Sequence, residues 1–122
     1  MFSLILNHYY SIIMFYICIL INSFVIFSLR VGESVSFSCV TKRCDSGSYI
    51  RWYQKKEGET FRIILYIDWS GGRVSHYNHP QKNDFSALRT HSGCDLKIEN
   101  VKLDHSATYY CKCWKTDSHS EK

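Results

Sequence analysis

The chain lacks the features that mark several common classes of protein. It contains a single proline, and it shows no low-complexity tract and no internal repeat. Its six cysteines include no CxxC pair, which argues against a zinc ribbon or a thioredoxin-like site. No Gly-rich phosphate loop and no helical histidine spacing occurs, so neither a cofactor nor a metal is predicted. The net charge of +4 is scattered along the chain, so nucleic acid is not a predicted partner.

Charged residues are missing from the N-terminal segment, where residues 1–29 include no Asp, Glu, Lys or Arg. The segment holds an apolar run of about 21 residues, which is long enough to cross a bilayer. It could instead hold a secretory signal that starts at Met14. We therefore expect residues 1–23 to be a signal peptide or a membrane-anchor-like segment. Either interpretation places the cysteines in an oxidising compartment, where they form disulfides.

An apolar period of 3.6 residues is also absent, and alternation of apolar and polar residues takes its place. In the stretch ESVSFSC, for example, Val35, Phe37 and Cys39 share one face. The stretches YIRWYQ, FRIILYI, DFSAL, CDLKI and ATYYCKC continue the pattern between polar turns. About seven short strands of this kind indicate an all-β sandwich of two antiparallel sheets. Because Cys39 and Cys111 both fall on inward faces, we expect a disulfide between them.

Three elements of the sequence form a recognisable pattern. Cys39, Trp52 thirteen residues later, and the YYC stretch that ends at Cys111 resemble the Cys…Trp…Cys arrangement of an immunoglobulin domain. The resemblance implies a core in which Trp52 packs against the disulfide, with Leu96 pointing inward. It also implies that Tyr109 forms a tyrosine corner. The domain is expected to span residues 24–116 and to be of the variable type, because the distance from Trp52 to Cys111 leaves room for two extra edge strands.

The finer resemblance is to variable segments of T-cell receptor gamma chains. It is carried by YIRWYQKKEGETFRIILYI, by DLKIENVKLDHSATYYCKCW, and by Trp114 just after the second cysteine. Immunoglobulin light-chain variable segments are similar as well, and a non-rearranging immunoglobulin-like cell-surface receptor is a further alternative. The Phe-Gly-x-Gly motif of a joining segment is absent. The resemblance therefore implies a germline segment without its last strand, and residues 117–122, which a recombination heptamer could encode, are a candidate read-through tail.

The resemblance implies antigen recognition in adaptive immunity, by a binding module without catalysis. Antigen, protein or other, would be contacted by three loops at one end of the sandwich. Their contact-prone residues are Tyr49, Trp69, Arg73 and Trp114. The domain would lie on the extracellular side of the plasma membrane, attached through a constant region that this chain does not include. An enzyme that uses Cys113 with His119 is a weaker alternative, because no acidic residue is placed to orient the histidine.

The resemblance also implies a heterodimer with the variable domain of a delta-like chain. Strand parity places a row of mostly apolar residues on the outer face of one sheet, as the partner interface: Tyr53, Lys55, Phe61, Ile63 and Tyr110. Two copies of Lys55 would repel each other in a homodimer. We therefore expect a partner with an acidic or polar residue at the matching position.

Two further pairings are open at the level of the sequence. A second disulfide is expected between Cys44 and Cys94, with Cys113 as a competing partner for Cys44. The family's usual salt bridge has a basic residue before the strand phenylalanine and an aspartate six residues before the second cysteine. Here Asp84 and His105 hold those positions, so we expect an inverted pair in which the carboxylate favours the imidazolium. The alternative is a one-residue slip, with Lys82 and Asp104 in the usual roles.

Overall fold

A computed structural model describes residues 2–6, 11–18, 23–40 and 44–115, with side chains from residue 31 onward within those ranges. This part of the chain contains ten β-strands and two single-turn 3-10 helices, at Lys82–Asp84 and Leu103–His105. In these ranges no helix has the length and apolar character needed to cross a membrane. In chain order the strands are β1 (Phe2–Leu6), β2 (Ser11–Cys18), β3 (Ser23–Arg30), β4 (Val35–Val40), β5 (Ser48–Lys55), β6 (Arg62–Asp68), β7 (Val74–His76), β8 (Phe85–Arg89), β9 (Gly93–Ile98) and β10 (Ala107–Lys115).

The strands form two sheets. The larger has the order β3-β2-β1-β10-β5-β6-β7, and the smaller has the order β4-β9-β8. Each neighbouring pair in both sheets is antiparallel. The predicted all-β fold with two antiparallel sheets is therefore confirmed.

The alternation of apolar and polar residues in the sequence corresponds to an inner and an outer face in the central strands. Along β4 the side chains are alternately buried and exposed, and Phe37 is only 1% exposed. In β5 the even-numbered residues point inward and are buried, among them Trp52 and Gln54, whereas the odd-numbered residues are half-buried on the outer face. Burial of the inner rows between the sheets is the main apolar contribution to the stability of the fold.

The core is centred on a disulfide between Cys39 of β4 and Cys111 of β10, which links the two sheets. Trp52 and Leu96 are fully buried in the same core cluster, and the ring of Tyr109 stacks on Phe37 with centroids 4.9 Å apart. The cysteines are 72 residues apart. A loop of that length corresponds to about 4 kcal/mol of stabilisation on the chain-entropy model.

A close backbone approach in the smaller sheet lies beside this disulfide. A Cβ atom added to Gly93 would overlap the carbonyl oxygen of Cys39, so only glycine fits at the start of β9. The approach brings the next residue, Cys94, directly opposite Cys39 in the β4–β9 ladder. Two cysteines of the core thus face each other across one strand pair.

The far edge of β10 is partly covered by the N-terminal strand. β1 pairs with β10 in antiparallel register, with Phe2 opposite Tyr109 and Leu4 opposite Ala107. Among the described strands, none pairs with that edge from Tyr110 to Lys115. Residues 1, 7–10 and 19–22 lie outside the described part of the chain. The signal or anchor role of residues 1–23 stays a prediction, and the suggested tail at 117–122 lies wholly outside the described residues.

Candidate binding site

The first and third loops are joined covalently at one end of the sandwich. β10 ends at Lys115, which lies opposite Ser48, the first residue of β5. The loop that precedes β5 and the segment that follows β10 therefore lie at the same end of the sandwich. A second disulfide connects Cys44, just before β5, with Cys113 near the end of β10, with Cα atoms 5.8 Å apart. Lys115 Nζ also lies 3.3 Å from Asp45 Oδ2, but both side chains are exposed, so this pair contributes little.

The predicted Cys44–Cys94 disulfide is wrong, and the competing partner Cys113 takes its place. Cys113 lies two residues after Cys111, so both point to the same side of β10, and Cys113 reaches the loop end where Cys44 lies. Cys94 belongs to the other sheet and points into the core, where it is a free thiol. The i, i+2 spacing of Cys111 and Cys113 was the signal in the sequence that favoured this pairing.

The thiol of Cys94 has a structural role that the sequence did not reveal. The buried indole of Trp52 donates a hydrogen bond from Nε1 to Cys94 Sγ over 3.1 Å. This contact satisfies a buried N–H group that would otherwise be costly. Burial raises the pKa of Cys94 to about 11, so the group remains a protonated, unreactive thiol at neutral pH.

The second loop is held by an arginine from the smaller sheet. The guanidinium carbon of Arg89 lies 3.5 Å from the centroid of the Trp69 ring, and Arg89 Nε donates to the Trp69 carbonyl oxygen over 2.9 Å. The Trp69 N–H in turn donates to the carbonyl oxygen of Ser48. The structure thus places Trp69 at the predicted loop end, half-buried as a support between loops, while Arg73 is exposed at the turn.

The turn itself is shaped by its glycines. Gly72 has a φ of +69°, in the left-handed region, and its N–H donates to the Asp68 carbonyl oxygen over 3.0 Å. The Asp68 carboxylate accepts a hydrogen bond from the Gly71 N–H over 3.0 Å. The second loop therefore has a defined shape before any ligand arrives.

Tyr49 and Trp114 lie opposite each other in the β5–β10 ladder, on the outer face of the larger sheet. The guanidinium carbon of Arg51 lies 4.5 Å from the Trp114 ring centroid, and Arg51 Nη2 donates to the Tyr49 hydroxyl over 3.0 Å. Trp114 Nε1 donates to the hydroxyl of Tyr53 over 3.0 Å. Tyr49 and Trp114 thus extend the outer face of the sheet towards the loops. Their predicted role in contacting antigen stays a prediction.

Below this group, aromatic rings cover the outer face of the sheet. Tyr53, Phe61 and Tyr110 form a triangle with ring centroids 6.0–6.3 Å apart. With Lys112 and Trp114 they line an open hollow of about 430 Å³. The structure places the other two predicted interface residues, Lys55 on β5 and Ile63 on β6, half-buried on the same face. The five predicted interface residues therefore share one surface, which we call the aromatic face: the outer surface of β5, β6 and β10, with Phe61 at its margin.

At the opposite end of the sandwich, the structure brings Asp84 and His105 together. His105 Nε2 lies 2.9 Å from Asp84 Oδ2, and the imidazole is fully buried. Its Nδ1 accepts a hydrogen bond from the Lys102 N–H over 2.9 Å. Because Nδ1 is an acceptor, the ring is neutral and donates from Nε2 to the carboxylate. The expected imidazolium is therefore wrong for this geometry.

The alternative assignment of that salt bridge is also wrong. Asp104 pairs with Lys56, with Nζ and Oδ1 3.2 Å apart, and not with Lys82. Lys82 lies exposed in the short 3-10 helix that precedes β8. Asp84 and His105 thus occupy the two positions as expected, but they are joined by a hydrogen bond from a neutral imidazole to a carboxylate.

A tyrosine corner adjoins the Asp84–His105 pair. The Tyr109 hydroxyl donates to the His105 carbonyl oxygen over 2.6 Å and accepts from Gln54 Nε2 over 3.1 Å. The second hydrogen of the Gln54 amide goes to Gln81 Oε1. Burial raises the pKa of Tyr109 well above its usual range, so the hydroxyl stays protonated as a donor. The predicted corner is therefore present in the geometry, and it anchors β10 at this end.

The structure does not support the alternative of an enzyme that uses Cys113 as a nucleophile. Cys113, the candidate nucleophile, is bonded to Cys44 and has no free thiol. Its proposed partner His119 lies outside the described residues. Within the described ranges, no group of three His, Cys, Asp or Glu side chains converges as a metal site would require.

A disulfide-linked antiparallel sandwich with a buried tryptophan, a tyrosine corner and loops gathered at one end defines an immunoglobulin-like binding domain. The immunoglobulin V-set domain family matches residues 27–122, so the chain belongs to that family. Domains of this family are binding modules, which agrees with the prediction of a non-catalytic domain. The chain is also similar to the Ig kappa chain V region 2717 of Oryctolagus cuniculus. The two are 29% identical over 85 residues, which cover 69% of this chain and 72% of the rabbit one.

Proposed function

We propose that the chain is an antigen-recognition variable domain that pairs with a second variable domain through its aromatic face. The aromatic face is the observation that carries the proposal. Phe61 is 45% exposed, and the Tyr53–Phe61–Tyr110 triangle borders a hollow of about 430 Å³. A cluster of this kind on an isolated domain would leave apolar surface in water, and its burial against a partner would stabilise a dimer.

The loop end is proposed to bind the antigen. The Cys44–Cys113 disulfide ties the first loop to the third, and the Arg89–Trp69 contact ties the second loop to the smaller sheet. Loops fixed in this way lose little conformational entropy when a ligand binds, which favours affinity. Arg73 is exposed at this end and remains the proposed contact residue of the second loop.

The receptor class we propose is a T-cell receptor gamma-like chain with a delta-like partner. The support for it is the resemblance carried by the β5–β6 region and by Trp114 after Cys111. The similarity to a rabbit kappa chain V region supports an immunoglobulin light chain as the second candidate. The two candidates differ in the partner that each requires.

Co-expression tests both candidates. The full chain would be secreted together with either a delta-type or a heavy-chain variable domain from the same organism, and complexes would be measured by size-exclusion chromatography. We expect a complex with the delta-type domain. A complex with the heavy-chain domain alone would assign the chain to the light-chain class. The absence of any complex would contradict the pairing function.

We also propose that the domain acts on the extracellular side of the plasma membrane, attached through a constant region outside this chain. The two disulfides support passage through the secretory pathway, since such bonds persist in oxidising compartments. Expression in a eukaryotic cell and non-reducing peptide mapping test this. Exported protein with both disulfides is expected, and cytosolic protein with reduced cysteines would contradict the proposal.

A further inference from the structure

Two positive charges face each other on the aromatic face. Arg51 of β5 and Lys112 of β10 are directly opposite in the antiparallel ladder, and both side chains are on the outer side. Like charges in such cross-strand pairs destabilise a sheet. Both cations approach the same ring, with Arg51 4.5 Å and Lys112 4.9 Å from the Trp114 centroid. Cation–π attraction of both cations to Trp114, and of Arg51 to the Tyr49 ring, opposes the repulsion but supplies no negative charge.

No carboxylate compensates these charges within the described ranges. The ion pairs found there use other cations, Lys56, Arg62, Lys97 and Lys115, and the carboxylate of Asp84 is held by neutral His105. Arg51 has Tyr49 as a hydroxyl partner, but its Nε is buried and has no hydrogen-bond partner. Lys55 lies on the same face and also takes part in none of these ion pairs. Arg51, Lys55 and Lys112 thus form no ion pair among the described residues, and the carboxylate of Asp68, opposite Tyr49 at the end of β6, accepts instead from the Gly71 N–H.

We propose that Arg51 and Lys112 receive a carboxylate of the partner variable domain, so that the aromatic face selects an acidic partner over a second copy of this chain. The inference rests on the proposed function, and it adds the chemistry by which the partner is chosen. A carboxylate between the two cations would find the guanidinium of Arg51 on one strand and the ammonium of Lys112 directly opposite on the other. It would also relieve the repulsion within the β5–β10 ladder.

A homodimer through the aromatic face is disfavoured by its symmetry. A twofold interface presents the same surface on both sides, so it would place Arg51, Lys55 and Lys112 of each copy against the same row of the other. The rings of Tyr53, Phe61 and Tyr110 would exclude water from that contact. Unpaired charges that lose water are costly, and juxtaposed like charges suppress wrong partners.

The test uses two forms of this chain and needs no identified partner. The first form is the wild-type chain, and the second carries Arg51→Glu, Lys55→Glu and Lys112→Glu. Each form and their equimolar mixture would be examined by sedimentation velocity at low and at high salt. We expect both forms to be monomeric alone and the mixture to form a heterodimer at least about tenfold tighter than either homodimer. The heterodimer should weaken as salt rises.

Two control variants connect the result to the aromatic face. A second triple variant, Lys82→Glu, Lys97→Glu and Lys102→Glu, changes the net charge equally, away from this face, and should not pair with the wild type. Tyr110→Ser in the wild-type form should abolish the heterodimer. Pairing by the second triple variant, or a heterodimer that survives Tyr110→Ser, would overturn the proposal. Thermal unfolding checks that each variant is folded.

The outcomes separate this inference from the proposed function. A wild-type homodimer that Tyr110→Ser disrupts would show that the aromatic face pairs domains but does not select by charge. That result overturns the inference and leaves the pairing function intact. A mixture that associates no better than its components also overturns the inference. The pairing function is judged independently, by the co-expression with delta-type and heavy-chain domains.

Discussion

The two faces of β5 and β10 satisfy their polar groups in opposite ways. On the inner face, Trp52 donates to the Cys94 thiol, and Gln54 donates to the Tyr109 hydroxyl, which donates to the His105 carbonyl oxygen. On the outer face, Arg51 and Lys112 oppose each other without a carboxylate among the described residues. Both sets of residues lie on the same two strands, and they differ only in the side of the sheet to which their side chains point.

The difference indicates what each face is for. A polar group inside a core must find its partner within the domain, because unmade hydrogen bonds there cost about 1–3 kcal/mol each. A polar group on an interface can find its partner on another chain. A charge that lacks an opposite charge within the isolated domain therefore points to a partner chain. Under the proposed pairing, inner residues of β5 and β10 report on folding, and outer residues report on recognition of the partner. Substitutions on the two faces should separate these roles.

The largest contrast is expected between two neighbouring tyrosines. Tyr109→Phe removes the hydroxyl that donates to the His105 carbonyl oxygen and accepts from Gln54. It should lower the free energy of unfolding by about 2 kcal/mol, since both partners are left unsatisfied. Chemical denaturation measures the loss. Tyr110→Phe is the matched control, and it should change stability by less than about 0.5 kcal/mol. Equal effects at both positions would contradict the division between the faces.

A smaller effect is expected at Cys94. Cys94→Ala removes the acceptor of the Trp52 indole N–H and should destabilise the domain by about 1.5 kcal/mol. Cys94→Ser offers a hydroxyl acceptor in the same place, so it should recover part of that loss. Because burial raises the pKa of the thiol to about 11, iodoacetamide should not label Cys94 in the folded protein but should label it after unfolding. Rapid labelling of native protein would show that the thiol is not held as the structure indicates.

Much of this inner face could be predicted from the sequence. Alternation in ESVSFSC, YIRWYQ and ATYYCKC placed Phe37, Trp52 and Tyr109 on inward rows, because a strand has a period of two and a buried face excludes charge. The structure places the three residues in one core, with Cys39 bonded to Cys111. Local patterns of this kind depend on the strand alone, which is why they could be read without coordinates.

Features that depend on which strands are neighbours could not be predicted. The Cys44–Cys94 disulfide was expected from their common end of the sandwich, but Cys94 faces Cys39 within the smaller sheet while Cys113 reaches Cys44 from β10. The tautomer of His105 depends on an amide three residues away that no periodicity reveals. The repulsion between Arg51 and Lys112 requires the β5–β10 register, which only the structure supplies.

A buried histidine, His79, should make the stability of the domain depend on pH. His79 is 4% exposed, and burial together with the charges of Arg62 and Lys56 lowers its pKa below the ordinary value of 6.5. Below that pH the unfolded chain binds a proton that the folded chain does not, so stability should be complete above about 6.5 and should fall as the solution becomes more acidic. His79→Gln should weaken this loss between neutral pH and pH about 5, measured by thermal unfolding. An unchanged pH profile would exclude His79 as its source.

The smallest effect is expected on the aromatic face itself, at Lys112. Lys112→Gln removes a like charge opposite Arg51 and, at the same time, the cation that lies 4.9 Å from the Trp114 centroid. The relief and the loss are both small, so the free energy of unfolding should stay within about 0.5 kcal/mol of the wild type in urea denaturation. Lys97→Gln, which breaks the exposed contact with Glu99, is the matched control of similar size. A loss of more than about 1 kcal/mol at Lys112 alone would mean that the outer face also stabilises the isolated domain, and the absence of a carboxylate beside Arg51 would then no longer point to a partner.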